Sequence, residues 1–329
     1  MHFEQKDTDL STRGDEAGFR LLARQVRLAC RCEVLARKAG NVCPGRGYAD
    51  LHVNDFLASA DVIAPVLAAG AGRPLGETIR RAIEATREKA ATNTNLGMVL
   101  LLAPLAAAPP GETLRAGLAR GLSETTVADA RDVYAAIRLA RPGGLGVAPE
   151  QDVSNEPTLT LRETMLLARD RDQVAEQYAT DFAYVFERLT PALRDAARWG
   201  TTLEQALVEL QLTALAEHGD SLILRKLGPE ENGRVQQAAQ GLLVPGGWTP
   251  ARRRAYVELD QHLRGKGNQR NPGTTADLLA ATLFVALRQE DIDEATPFTW
   301  EDHPFDDRGA GPSLFLPTCG HVISLSADL

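Results

Sequence analysis

In one segment after another between Gly18 and Arg288, apolar residues recur every three to four positions, the spacing that lines one face of an α-helix. The first such segment runs from Gly18 to Ala39, with Leu21, Leu22, Val26, Leu28, Ala29, Val34 and Leu35 on the repeat. Alanine and leucine dominate, and aromatic residues make up only 5% of the chain, which favours helices over sheets. At 329 residues and 44% hydrophobic content, the chain can bury a sizeable core. Its longest apolar run, Met98 to Ala108, contains Pro104 and falls well short of the roughly 20 residues a membrane span requires. It is expected to be a buried core helix.

Further helices are expected over 54–69, 75–90, 112–121, 125–139, 161–169, 173–189, 203–218, 220–227, 234–243, 252–264 and 275–288. The predicted fold class is all-α: a multihelical single globular domain over 16–289. Residues 1–15 are expected to be disordered or loosely packed. Residues 290–329 read as an appended, irregular, acidic tail carrying Pro297, Pro304, Pro312 and Pro317, with short strands at 313–316 and 321–325. The glycine-rich stretch Arg141-Pro142-Gly143-Gly144-Leu145-Gly146 opens a loop that makes 141–160 the candidate subdomain joint.

The net charge of −8 argues against nucleic-acid binding, and an anionic substrate would need locally placed cations. Cys30, Cys32, Cys43 and Cys319 form no C-x-x-C pair, and no H-E-x-x-H, Walker or Rossmann motif is present. The polar first residues do not read as a signal peptide. The expected setting is therefore cytoplasmic, with small-molecule partners and neither nucleic acid nor membrane.

Two helix starts stand out. Asn93-Thr94-Asn95-Leu96-Gly97 offers capping side chains and free N–H groups that suit a phosphate. Asn271-Pro272-Gly273-Thr274-Thr275-Ala276-Asp277 sets a turn, offers Thr274 or Thr275 as cap, and places Asp277 in the first turn, where it serves the helix dipole or a Mg²⁺ ion. Each alone is equally a plain helix cap. A third stretch, Asp220-Ser221-Leu222-Ile223-Leu224-Arg225-Lys226-Leu227-Gly228, ends on two cations. Only five lysines occur against 31 arginines, and Lys38, Lys226 and Lys266 each lie within two residues of a glycine. Lysine is a compact charge suited to phosphate. Glu33 lies five residues before Lys38 on an otherwise apolar helix and projects either to solvent or into a helix-lined cleft. Asp152, Asp170, Asp172, Gln177 and Tyr178 read as metal ligands or as caps, and Cys319-Gly320-His321 is too small a set to specify a metal.

Taken in order, Glu33 with Lys38-Ala39-Gly40-Asn41-Val42 and Asp50, then 93–97, 220–228 and 271–280 resemble the triphosphoribosyl-dephospho-CoA synthase family across most of the chain. The resemblance implies an all-helical enzyme that transfers a 5-triphosphoribosyl group from ATP to dephospho-CoA and releases adenine. Asn95, Leu227 and Ala39 depart from the citrate and malonate type, which usually has His, Gly and Pro there. Glu150 to Val153 and Arg171 to Tyr178 look more like the branch found in methanogens and methylotrophs. In such organisms the acceptor would be a ribitol-bearing precursor of tetrahydromethanopterin, with ATP or phosphoribosyl pyrophosphate as donor.

Ribosyl transfer builds positive charge on the sugar, as glycoside cleavage does. It calls for cations on the phosphates, a carboxylate near C1 and a base. The catalytic candidates are Glu33, as base, and Asp50. Lys38, Asn93, Thr94, Asn95, Gly97, Ser221, Arg225, Lys226, Asn271, Gly273 and Thr274 are the phosphate and nucleotide candidates. Asp50, Asp220 and Asp277 are candidates for Mg²⁺, with ATP as substrate. An all-helical Mg²⁺-dependent hydrolase of nucleotides or ADP-ribose would use the same carboxylates to activate water, and a non-catalytic helical scaffold would use none of them.

Overall fold

The computed structural model describes residues 4–90, 93–109 and 111–306, with side chains from Glu16 onward. The described residues form fourteen α-helices: α1 (Glu4–Leu35), α2 (Val53–Ala68), α3 (Leu75–Lys89), α4 (Leu96–Ala107), α5 (Leu114–Ser123), α6 (Val127–Ala140), α7 (Leu161–Ala168), α8 (Gln173–Ala179), α9 (Thr190–Arg198), α10 (Leu203–His218), α11 (Ser221–Leu227), α12 (Pro229–Leu242), α13 (Pro250–Arg264) and α14 (Gly273–Arg288). A π-helical turn, Tyr184–Leu189, precedes α9, and a short extended stretch, β1 (Gly265–Asn268), follows α13. No helix among the described residues is long and apolar enough to cross a membrane.

The core is built on α4 and α14. Both are apolar nearly all round, so they can be stable only when surrounded by other helices. Helix α4 contacts α2, α3, α5, α8 and α14, while α1 packs on α2 and α14. Pro104 sits inside α4 and removes the N–H that would bond the Leu100 carbonyl one turn earlier. The fully buried Tyr178 of α8 supplies the missing donor, its hydroxyl 2.6 Å from the Leu100 oxygen. A second apolar cluster lies between α10, α12 and α13 and includes Tyr256, Trp300 and Phe305.

Three local expectations are corrected. The first helix ends at Leu35 instead of Ala39, because the Lys38 ammonium turns back onto the carbonyls of Glu33 and Ala36 (3.2 Å to the latter) and closes the helix end. The single helix expected over 173–189 is broken. Asp181 and Phe182 adopt left-handed backbone angles (φ 50° and 58°), with the Phe182 ring fully buried and Asp181 bonded to Arg162 at 2.7 Å. Tertiary packing overrides helical periodicity there. Helix α9 was not expected, although Pro191 at its start is a recognised opening residue. The strands expected at 313–316 and 321–325, Cys319 and His321 lie outside the described residues.

Candidate active site

The starts of α4 and α14 lie against each other, and a cavity of about 850 Å³ opens over them. That is within the range of small-molecule sites, toward its upper end. Neither helix start is vacant. The Asp277 carboxylate, on α14, lies at the opening of α4, where the Met98 N–H bonds to it. A Cβ on Gly97 would come within 1.9 Å of Asp277 Oδ2, so only glycine permits this approach. Asp220 does the same for α14. Its Oδ2 accepts from the Thr275 N–H and hydroxyl, both at 2.8 Å, and its Oδ1 accepts from Leu222 and Ile223 at the start of α11. The expected caps therefore change: Asp220 replaces Thr274 or Thr275 on α14. At α4 the Asn93 side chain accepts from the Leu96 N–H at 3.1 Å.

These carboxylates have little positive charge to balance them. Burial, reinforced by Glu33, Asp220 and Asp172, pushes the Asp277 carboxyl well above the ordinary range. Asp220 is also raised by burial, against the bonds from Thr275, Ile223 and Leu222. Glu33, 2% exposed at the cavity wall, is raised by burial while Lys38, 3.0 Å away and wholly buried, opposes the shift.

Cations complete the lining. Lys226 is partly buried, its ammonium 3.4 Å from the Asn268 carbonyl, with no carboxylate within 4.0 Å among the described residues. Burial, helped by Arg225, lowers its pKa. Its stem is held by the glycine-rich loop. A Cβ on Gly144 (φ +71°) would lie 2.9 Å from Lys226 Cγ, and one on Gly143 would lie 3.0 Å from Cε. Arg225 pairs with Asp172, which caps α8. Arg87, Arg141 and Arg171 also line the space.

Of the residues singled out from the sequence, Glu33, Asp50, Asn93, Thr94, Asn95, Gly97, Arg225, Lys226, Asn271, Gly273, Thr274 and Asp277 line this one cavity. Lys38, Asp220 and Ser221 do not. Lys38 lies behind Glu33, Asp220 is spent on the two helix starts, and Ser221 bonds Thr274 at 3.0 Å. Several lining groups are already engaged within the protein. Thr94 bonds Ser59 at 2.7 Å, and Asn95 donates to Thr86 at 3.1 Å. Sequence reasoning missed the loop 141–153 as a wall of the site; its run of glycines was the available signal. Asp152 closes that loop, accepting from Ala148 and Ser154, which lower its carboxyl to about 2. Arg87 carries no sequence signal of its role. No group of three or more His, Cys, Asp or Glu side chains placed to hold a metal occurs among the described residues.

Carboxylates and cations gathered over two helix starts give the cavity the residue types expected of a phosphate-handling enzyme in an all-helical chain. Comparison with known proteins gives the same class. A model of the family "ATP:dephospho-CoA triphosphoribosyl transferase" matches residues 19–295. A protein of Stutzerimonas stutzeri named as a 2-(5''-triphosphoribosyl)-3'-dephosphocoenzyme-A synthase is 30% identical over 253 residues, covering 72% of this chain and 80% of that protein. A Pseudomonas putida protein of the same name is 37% identical over 111 residues, 33% of this chain and 39% of that one. The crystal structure of an Archaeoglobus fulgidus protein assigned as a triphosphoribosyl-dephospho-CoA synthase superposes with a TM-score of 0.56 at 26% identity, over 70% of this chain and 97% of that one. The chain belongs to the ATP:dephospho-CoA triphosphoribosyl transferase family and is a transferase.

Proposed function

We propose that this chain moves the triphosphoribosyl group of ATP onto an acceptor hydroxyl in the 850 Å³ cavity, with dephospho-CoA as the acceptor, as the family description has it. The observation that carries this reading is Glu33: a buried carboxyl on the cavity wall, raised by burial against the opposing charge of Lys38, which lies 3.0 Å away and orients it. In the reaction the C1–N9 bond breaks and its electron pair leaves with adenine. The acceptor oxygen bonds to C1, Glu33 takes the hydroxyl proton, adenine N9 gains one from solvent, and Glu33 returns its proton to solvent, so the protons balance. Asp277, whose carboxyl is raised by burial and by Glu33, favours the positive charge on the sugar in its ionised form, which the charge developing at C1 in turn promotes.

The phosphates fall to Lys226 and Arg225 in this reading, with Arg87, Arg141 and Arg171 adding positive potential. The residues of the two helix starts shape the site, since their N–H groups already serve Asp277 and Asp220. The donor set also fits Mg²⁺. Asp277 and Asp50 offer hard oxygens, and Mg²⁺ characteristically takes one or two carboxylates together with substrate phosphates instead of a full protein cage. When bound, the ion neutralises phosphate charge.

A second acceptor is favoured by Asn95, which lines the cavity where the citrate and malonate type carries His. It is a ribitol hydroxyl of a tetrahydromethanopterin precursor. The test is adenine release from ATP with Mg²⁺ and each acceptor, followed by mass spectrometry of the product. Acceptor-dependent adenine release supports transfer and identifies the acceptor. Release that ignores both acceptors points to a hydrolase, and no release with either overturns the proposal.

A further inference from the structure

The family match ends at residue 295, yet the chain continues as an ordered strap from Pro297 to Asp306 that contributes nothing to the cavity lining. The strap begins by capping α10: the carbonyls of Pro297 and Phe298 accept from Leu203 (2.7 Å) and Glu204 (3.0 Å). It then reaches the segment that leaves α1. Arg37 is gripped by Glu204 (2.7 and 2.9 Å), by the Trp300 carbonyl (2.7 Å) and by Asp306 (2.9 Å). Glu204 is itself held by the Trp300 N–H at 2.9 Å. Farther along the same segment, the guanidinium of Arg46 lies 4.1 Å from the centre of the Phe305 ring and pairs with Asp260, which accepts from Gly40 at 2.9 Å.

We infer that the strap Pro297–Asp306 is a positioning element for the transfer reaction, acting on Glu33 through Arg37 and Lys38. The inference rests on the reading of Glu33 as the base. Lys38 is the residue after Arg37, and its ammonium is the ionic partner of Glu33. Asn41, between the two anchored arginines, forms part of the cavity wall and bonds Asn271 at 2.8 Å. The strap thus clamps both flanks of the segment that orients the base. Without Trp300 and Asp306, the Arg37 guanidinium keeps only Glu204, and the backbone leading into Lys38 keeps only the Tyr256 hydroxyl at the Arg37 carbonyl (3.0 Å) and Gln211 at Ala39. A displacement of about 1 Å at a reacting group costs on the order of a hundredfold in rate. The phosphates are assigned to Lys226 and Arg225 in the proposed reading, so the loss falls on kcat and spares KM.

The test compares the full chain with chains ending after Asp306 and after Thr296. Ending after Asp306 leaves kcat unchanged. Ending after Thr296 lowers kcat at least tenfold, leaves KM for ATP within about threefold and displaces the acid limb of kcat against pH, because the Glu33–Lys38 spacing is released. If the shorter chain does not fold, the double variant F305A/D306A is judged by the same three readouts. A folded strap variant with full-length kcat and pH profile overturns the inference. Glu33→Gln is assayed alongside. If it loses activity while strap variants keep theirs, the strap inference alone fails. Full activity in Glu33→Gln instead removes Glu33 as base.

Discussion

Asp277 Oδ2 lies where a side chain on Gly97 would begin, 1.9 Å from the position of a Cβ, so the start of one core helix receives a carboxylate from the other. Gly97→Ala must therefore push Asp277 aside. Overpacking of this kind costs about 1–3 kcal/mol, and urea unfolding should register it together with loss of transfer activity. Asp277→Ala in the same chain should return most of the stability and none of the activity. An active, fully stable Gly97→Ala would show that the contact is unimportant.

Lys38 and Glu33 are a buried pair, 0% and 3% exposed at the side chain. Lys38→Met strands the carboxylate and should destabilise the fold by about 3–5 kcal/mol, the usual cost of breaking such a pair from one side. The double variant Glu33→Gln with Lys38→Met should be more stable than the single Lys38→Met and still be inactive. Chemical denaturation of the three chains decides this.

Lys226→Ala should raise KM for ATP at least tenfold and abolish the thermal protection that ATP gives, while leaving the unliganded fold intact. Because burial lowers the Lys226 pKa, ATP binding should weaken with rising pH below the roughly 10.4 of an ordinary lysine. Lys226→Arg, which stays charged, should move that limb upward. An identical alkaline limb in the arginine variant would assign the titration elsewhere.

His303 is wholly buried among Trp300, Tyr256 and Phe305, and burial holds its pKa down to about 3. Between about pH 6.5 and 3 the unfolded chain takes up a proton that the folded chain refuses, so stability is full above that window and is lost as pH falls through it. From pH 7 to 5 the loss is about 2 kcal/mol, at 1.36 kcal/mol per pKa unit. His303→Leu should lose less than the parent over the same interval. Equal losses in urea titrations at the two pH values would remove His303 as the cause.

Tyr178→Phe leaves the Leu100 carbonyl beside Pro104 without a donor. A buried acceptor left bare costs about 1–3 kcal/mol, and thermal unfolding should show it.

Much of this architecture was legible because the helices are amphipathic or wholly apolar: α10 runs over 203–218 as its periodicity predicts. That separate motifs converge was legible too: Glu33, Asn93, Lys226 and Asp277 sit in stretches of recognisable order and line one cavity. What the sequence hid is which group serves which neighbour. Spacing shows that a helix start has free N–H groups. It does not show that Asp277 and Asp220, from other helices, fill them. The break at Asp181 and Phe182 was hidden for the same reason, as it is imposed by a buried ring and an ion pair with Arg162. The glycine-rich loop reads as a joint over 141–160 because glycine codes equally for a hinge and for close approach. The close approach, with the stem of Lys226 lying against Gly143 and Gly144, carries no sequence signal of its own.

Asp220 holds the first N–H groups of α11 with one oxygen and the start of α14 with the other. A single side chain therefore acts as a rivet between the helix that carries Lys226 and the helix that carries Asp277. Those two walls cannot part without uncapping two helices at once, so the distance between the cationic and acidic sides of the cavity works as a fixed gauge.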